Sequence, residues 1–164
     1  MSNKKEEMLR QTFLKGSLPR NLNGFYKGKL AQFIPGNISE FLRGIIANFW
    51  LPWHGKTFYN QQNRGDNILP SYIKPFIRLR FGDKPITQEE GTIIHVFPFK
   101  TAIKRSIKDN LKILQLNYNL PQNPPQIRNV VDELVCIGKD DYLGKAYIKE
   151  GKGVRLVAFF SLEK

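Results

Sequence analysis

Apolar residues in the second half of the chain come in short runs broken by small polar clusters, the pattern of successive β-strands. "GTIIHVFPF" (91–99) is almost wholly apolar, with His95 at its middle, and "LKILQLNYNL" (111–120) places Leu114, Leu116 and Tyr118 on one face. "IRNVVDELVCIG" (127–138), "DYLGKAYIK" (141–149) and "GVRLVAFFSLE" (153–163) read as three further strands, and "FIRLRF" (76–81) alternates in the same way. The connections "GKDD" and "KEGKG" are short, polar and glycine-bearing, so neighbouring strands are expected to form antiparallel hairpins. "LPQNPPQ" (120–126) reads as a rigid turn, and "NQQNRGDNILPS" (60–71) as a polar connection.

The first half is mixed. Residues 1–20 form an N-terminal extension, followed by a glycine-bearing strand from Leu22 to Phe33. A helix is predicted over 37–51: Asn37 or Ser39 can cap it, and Phe41, Leu42, Ile45, Ile46 and Phe49 recur at helical spacing. Pro52 ends it, because the residue before a proline avoids the helical region. "GKTFY" (55–59) then reads as a strand. About eight strands with one early helix predict a mostly β, single-domain chain closed as an antiparallel β-barrel, just wide enough to hold a small ligand. Gly28, Gly55 and Gly144 each sit inside a strand and precede a lysine. Such glycines mark bends or close backbone approach, and alternation then sends the lysines to the solvated face.

Composition narrows the function more than it names it. The length of 164 residues and 41% hydrophobic content suit one folded domain. No apolar run reaches the roughly 18 residues of a membrane span, the N-terminus lacks the apolar core of a signal peptide, and Cys136 has no partner for a disulfide. A cytoplasmic location is expected, which leaves the glycosylation pattern at Asn37 to Ser39 without meaning. The net charge of +12 supports loose attraction to polyanions, but no nucleic-acid motif accompanies it. The densest basic stretch, "KTAIKRSIKDNLK" (100–112), would stack Lys100, Lys104, Lys108 and Lys112 if helical, and otherwise reads as a solvated face or loop.

"FWLPWHGKTFY" (49–59) gathers both tryptophans and His54 beside a Gly-Lys-Thr triplet. The triplet imitates the end of a phosphate-binding loop, but Trp50 stands where that loop needs its first glycine, and the predicted order is helix then strand. His54, His95 and Cys136 are too few and too scattered for a metal site, so no metal or cofactor is expected. Cys136 could act as a nucleophile with a histidine, yet in "ELVCIG" it reads as a small buried hydrophobe. Trp50 is expected under the helix, with Trp53 and His54 at the barrel mouth, where a ligand enters.

Two stretches carry a resemblance. "NGFYKGKL" and "FFSLEK" resemble the first and last strands of lipocalin-like (calycin) barrels. "WHGKTF", "GDNILP", "LNYNLPQNPP" and "VVDELVCIGKDDYLGKAYIK" look like an uncharacterised bacterial family of that type, distantly similar to the GXWXG-motif proteins. The resemblance implies a calycin-type barrel and no catalytic residue. The expected function is binding of a small, largely apolar molecule in the barrel. The pocket is expected to draw on Tyr26, Trp53, His54, Asp66, Asn67, Phe76, Ile94, Leu114 and Phe159. An enzyme using the same cavity, with His54, His95, Asp66 or Asp132 in acid–base roles, is the alternative. A weak nucleic-acid-binding barrel is the third reading.

Overall fold

A computed structural model describes residues 2–34 and 52–164. The helix expected over 37–51, with Trp50 and the Asn37 to Ser39 triplet, lies outside the described residues. The elements in order are α1 (Ser2–Leu14), β1 (Gly24–Phe33), β2 (Gly55–Tyr59), β3 (Arg64–Pro70), α2 (Lys74–Phe81) and β4 (Ile86–Glu90). Then come β5 (Ile93–Arg105), β6 (Lys112–Asn117), α3 (Pro125–Arg128), β7 (Val130–Cys136), β8 (Asp141–Glu150) and β9 (Gly153–Glu163). The strands run β3-β2-β1-β9-β8-β7-β6-β5, all antiparallel, and pairing of β3 with β5 closes the barrel. β4 adds to the first half of β5, on the side that β6 occupies further along. Phe97, at a positive φ of 51° just before Pro98, marks the switch between those two partners.

Alternation divides the side chains into two sets. Tyr26, Phe58, Leu69, Ile94, Phe99, Leu116, Leu134, Ala146 and Phe160 belong to the interior cluster. Phe13, Ile113, Val135, Leu143 and Phe159 form a second cluster outside the barrel wall, covered by α1 through Leu9 and Phe13. This cover explains why β7 and β8 are buried on both faces and read as continuous apolar runs.

Two expectations are corrected and one open alternative is decided. "FIRLRF" is not a strand but most of α2: Pro75 pre-sets the first turn, Gly82 at φ 74° ends it, and Ile73, Ile77 and Phe81 meet the core at helical spacing. "RGDNILP" is not a connection but β3, whose polar residues Asp66 and Asn67 are spent on partners within the fold. The basic stretch at 100–112 is not a helix: it is the end of β5, a turn, and the start of β6, with Lys100, Lys104, Lys108 and Lys112 exposed as a solvated face.

Candidate functional site

The glycine–lysine pairs point to the site, though not as the sequence suggests. A Cβ on Gly28 would stand 2.5 Å from the Trp53 ring, and one on Gly144 would stand 2.1 Å from the Phe160 ring. These two glycines make room for aromatic side chains in the lumen, and Trp53 meets Phe160 edge-on at 5.7 Å. Gly55, at φ 145°, is a close backbone approach, since a Cβ there would stand 2.0 Å from the Tyr26 carbonyl oxygen, while Lys56, opposite the interior Tyr26, points inward. Of the three following lysines only Lys29 is solvated; Lys56 and Lys145 are 3% and 1% exposed.

Lys56 is the centre of a polar cluster inside the barrel. Its ammonium donates to Asn67 Oδ1 at 2.8 Å and to the Tyr118 hydroxyl at 2.5 Å, and lies 3.0 Å from Asp132 Oδ2. Tyr118 donates to Asp132 at 3.0 Å, and the Asn67 amide donates to Tyr118 at 3.2 Å and to the Phe97 carbonyl at 3.0 Å. The rings of Trp53, Phe99, Tyr118 and Phe160 have their centroids 5.1 to 5.3 Å from the ammonium, within range of the cation–π attraction. Burial holds the Lys56 pKa below its usual value, and Asp132 opposes that shift. Burial, then the Asp132 charge, raises the Tyr118 pKa well above the ordinary phenol value. The three ammonium donors thus have three acceptors, so the cluster is chemically closed on itself. Trp53 Nε1 is buried nearby and has no acceptor among the described residues.

A pocket of about 430 Å³ opens at the barrel end that carries the β2–β3 turn. Its lining joins the apolar Leu22, Phe58 and Leu114, the β5 residues Thr101, Ala102 and Ile103, and the polar Arg20, Asn60, Asn63 and Arg64. The Phe58 ring meets Phe99 at 5.5 Å, and Phe99 meets Tyr118 at 5.4 Å. A short stack of rings therefore separates the pocket from the charged cluster.

The expected site residues are divided by the fold. Tyr26, Trp53, Asn67, Ile94 and Leu114 face or pack against the interior, and Leu114 alone of the nine lines the open pocket described above. Trp53 is 9% exposed and packed inside, not a rim residue; His54 is exposed. Phe76 lies on α2, 43% exposed, and Phe159 faces outward beneath α1, because a one-residue offset along a strand changes its side of the wall. Asp66 also faces outward, with its carboxylate 3.6 Å from His95 Nδ1; Tyr59 OH lies 3.2 Å from the same nitrogen. Burial raises the Asp66 carboxyl, while burial and Asp66 together push the Tyr59 hydroxyl up to about 12. Cys136 is half-buried, its thiol directed at the Gly138 carbonyl. Among the described residues no group of His, Cys, Asp and Glu could hold a metal ion.

Lys56 and Tyr118 are the members that sequence reasoning missed as site residues. Their signal was present: strand alternation from Phe58 inward puts Lys56 in the lumen, but a lysine after a glycine is ordinarily solvated.

No protein-family model matches the chain, and no curated protein does either. Among solved structures it is similar to a protein from Thermomonospora curvata, at 10% identity and a TM-score of 0.54, over 97% of this chain and 86% of that one. At that identity the likeness speaks for the barrel fold alone.

Proposed function

We propose that the protein binds a small, largely apolar molecule with an acidic head at the open end of the barrel. The observation that carries this reading is the pocket of about 430 Å³, whose lining brings Leu22, Phe58 and Leu114 together with Arg20 and Arg64. The apolar part of the lining rewards an aliphatic or aromatic body, and guanidinium groups suit a carboxylate through paired hydrogen bonds. The volume falls within the range of small-molecule sites. The Lys56 cluster supports the pocket from behind by holding Phe99, and through it Phe58, in one place. Its donors and acceptors answer one another, which favours a binding barrel over an enzyme that uses these groups.

Titration with an environment-sensitive apolar dye tests the reading. Medium-chain fatty acids should displace the dye, and the matching alcohols should do so about tenfold less well, the worth of a charge-assisted contact. Leu114→Glu should abolish uptake, and Arg64→Ala should narrow the gap between acid and alcohol. A dye that is not taken up, or one whose affinity ignores Leu114→Glu, would overturn the proposal.

A further inference from the structure

α2 is apolar on two faces. Ile73, Ile77 and Phe81, four residues apart, turn inward, and Ile77 is fully buried. Phe76 and Leu79, three residues apart, share another face of α2, and Tyr72 stands in the short 3-10 turn that leads into the helix. Tyr72, Phe76 and Leu79 are 76%, 43% and 90% exposed. Single exposed apolar residues are ordinary, but three within one short 3-10 turn and the helix that follows it are not what a solvated helix displays. The same segment carries Lys74, Arg78, Arg80 and Lys84 against one carboxylate, Asp83, with Glu89 of β4 a second one within reach of Lys74. Lys74 pairs with Glu89 and Arg78 with Asp83, both at the surface, where such pairs are weak and exchange readily.

We propose that this face docks the protein on an anionic lipid surface. Tyr72, Phe76 and Leu79 enter the boundary between headgroups and acyl chains, and Lys74, Arg78, Arg80 and Lys84 lie at the level of the lipid phosphates. Charge and shape choose this occupant. The four cations complement an anionic leaflet, and the net charge of +12 adds long-range attraction to it. A nucleic acid would use the cations and offer nothing to Leu79, the most exposed of the three. A membrane interface accepts an apolar tip and a basic collar together. The proposal is independent of the ligand pocket, whose lining shares no residue with α2.

Co-sedimentation with vesicles tests it. The full chain should pellet with equimolar phosphatidylcholine and phosphatidylserine, less so as salt rises, and far less with phosphatidylcholine alone. The double variant Tyr72→Ser/Leu79→Ser should lose roughly tenfold or more in partitioning, since two apolar side chains no longer leave water. Its circular dichroism and melting should match the wild type, because both side chains are exposed. Ile137→Ser, a 42% exposed position just after β7 and outside the pocket lining, should leave vesicle binding unchanged. Retention on heparin should be equal in wild type and double variant. The proposal falls if the wild type does not pellet with the anionic vesicles, or if the double variant pellets as well as the wild type. It also falls if the wild type self-associates without vesicles and the double variant does not, which would assign the face to a second copy of the chain.

Discussion

Taking an ammonium out of water costs several kcal/mol even after relaxation, and is tolerated only where charge and hydrogen bonds are both answered. Lys56 meets that condition with Asp132, Tyr118 and Asn67. Lys56→Met should therefore cost about 3 to 5 kcal/mol, because it leaves the Asp132 carboxylate buried without its cation. Adding Asp132→Leu should restore most of the loss, and urea denaturation of the two variants would measure both effects. A single variant as stable as the wild type would mean that the pair does not hold the lumen. Outside the barrel wall, Glu133 is fully buried and accepts from the Ser106 hydroxyl at 2.7 Å and from the Ile107 amide at 2.5 Å. Burial nevertheless raises its pKa, against the pull of those bonds. A carboxyl raised in the folded state binds its proton more tightly folded than unfolded. Its contribution to stability is complete below the unfolded pKa and is lost as pH climbs through the folded value. Stability should thus fall as pH rises from the ordinary glutamate range, and Glu133→Gln should flatten that slope in melts taken across the acid range.

At the scale of elements, the strands are legible where one face is apolar and obscure where both faces are occupied for different reasons. β3 reads as polar because Asp66 meets His95 on one side of the wall while Asn67 meets Lys56 on the other. α2 imitates a strand because its arginines fall two apart, yet Pro75 and Gly82 bound a helix whose inward stripe repeats every four residues. The strand glycines were legible as close approaches, and their contacts make a test. Gly144→Ala would place a methyl 2.1 Å from the Phe160 ring in the packed lumen. It should destabilise by about 1 to 3 kcal/mol, the usual cost of overpacking. Phe160→Leu in the same chain should relieve part of it. Equal stability of Gly144→Ala and wild type in urea would show that the Phe160 ring moves freely.

At the scale of the molecule, closure of β3 on β5 removes the exposed edges that an open sheet would leave, and β4 adds one strand beyond it. The net charge of +12 belongs to this scale too, since the lysines and arginines are dispersed through the chain. Dispersed cations act on polyanions through counterion release. Retention on double-stranded DNA should be weak, indifferent to sequence, and steeply lost as salt rises in a binding titration. Sequence-selective binding that survives physiological salt would instead favour a nucleic-acid-binding barrel. No helix among the described residues is long and apolar enough to cross a membrane.

The sequence by itself determined the fold class. Period-two burial, short glycine-bearing connections and the absence of long helices between the later strands leave an antiparallel barrel as the way to bury those faces. It also determined that Asp132 shares a side with Leu134, since alternation is local. Only the tertiary structure decided which side of the wall each strand turns inward, and what covers the outside. Phe159 and Lys145 are buried because α1 and the 106–111 turn lie over them: Phe13 packs into the same cluster as Phe159, its ring centroid 4.1 Å from Lys145 Nζ. Asp109 pairs with that ammonium. The partners of Lys56 come from β3, β7 and the segment after β6. Local pattern records the period of a strand, but the choice of inner face and the meeting of distant polar groups depend on closure, which no short window of sequence contains.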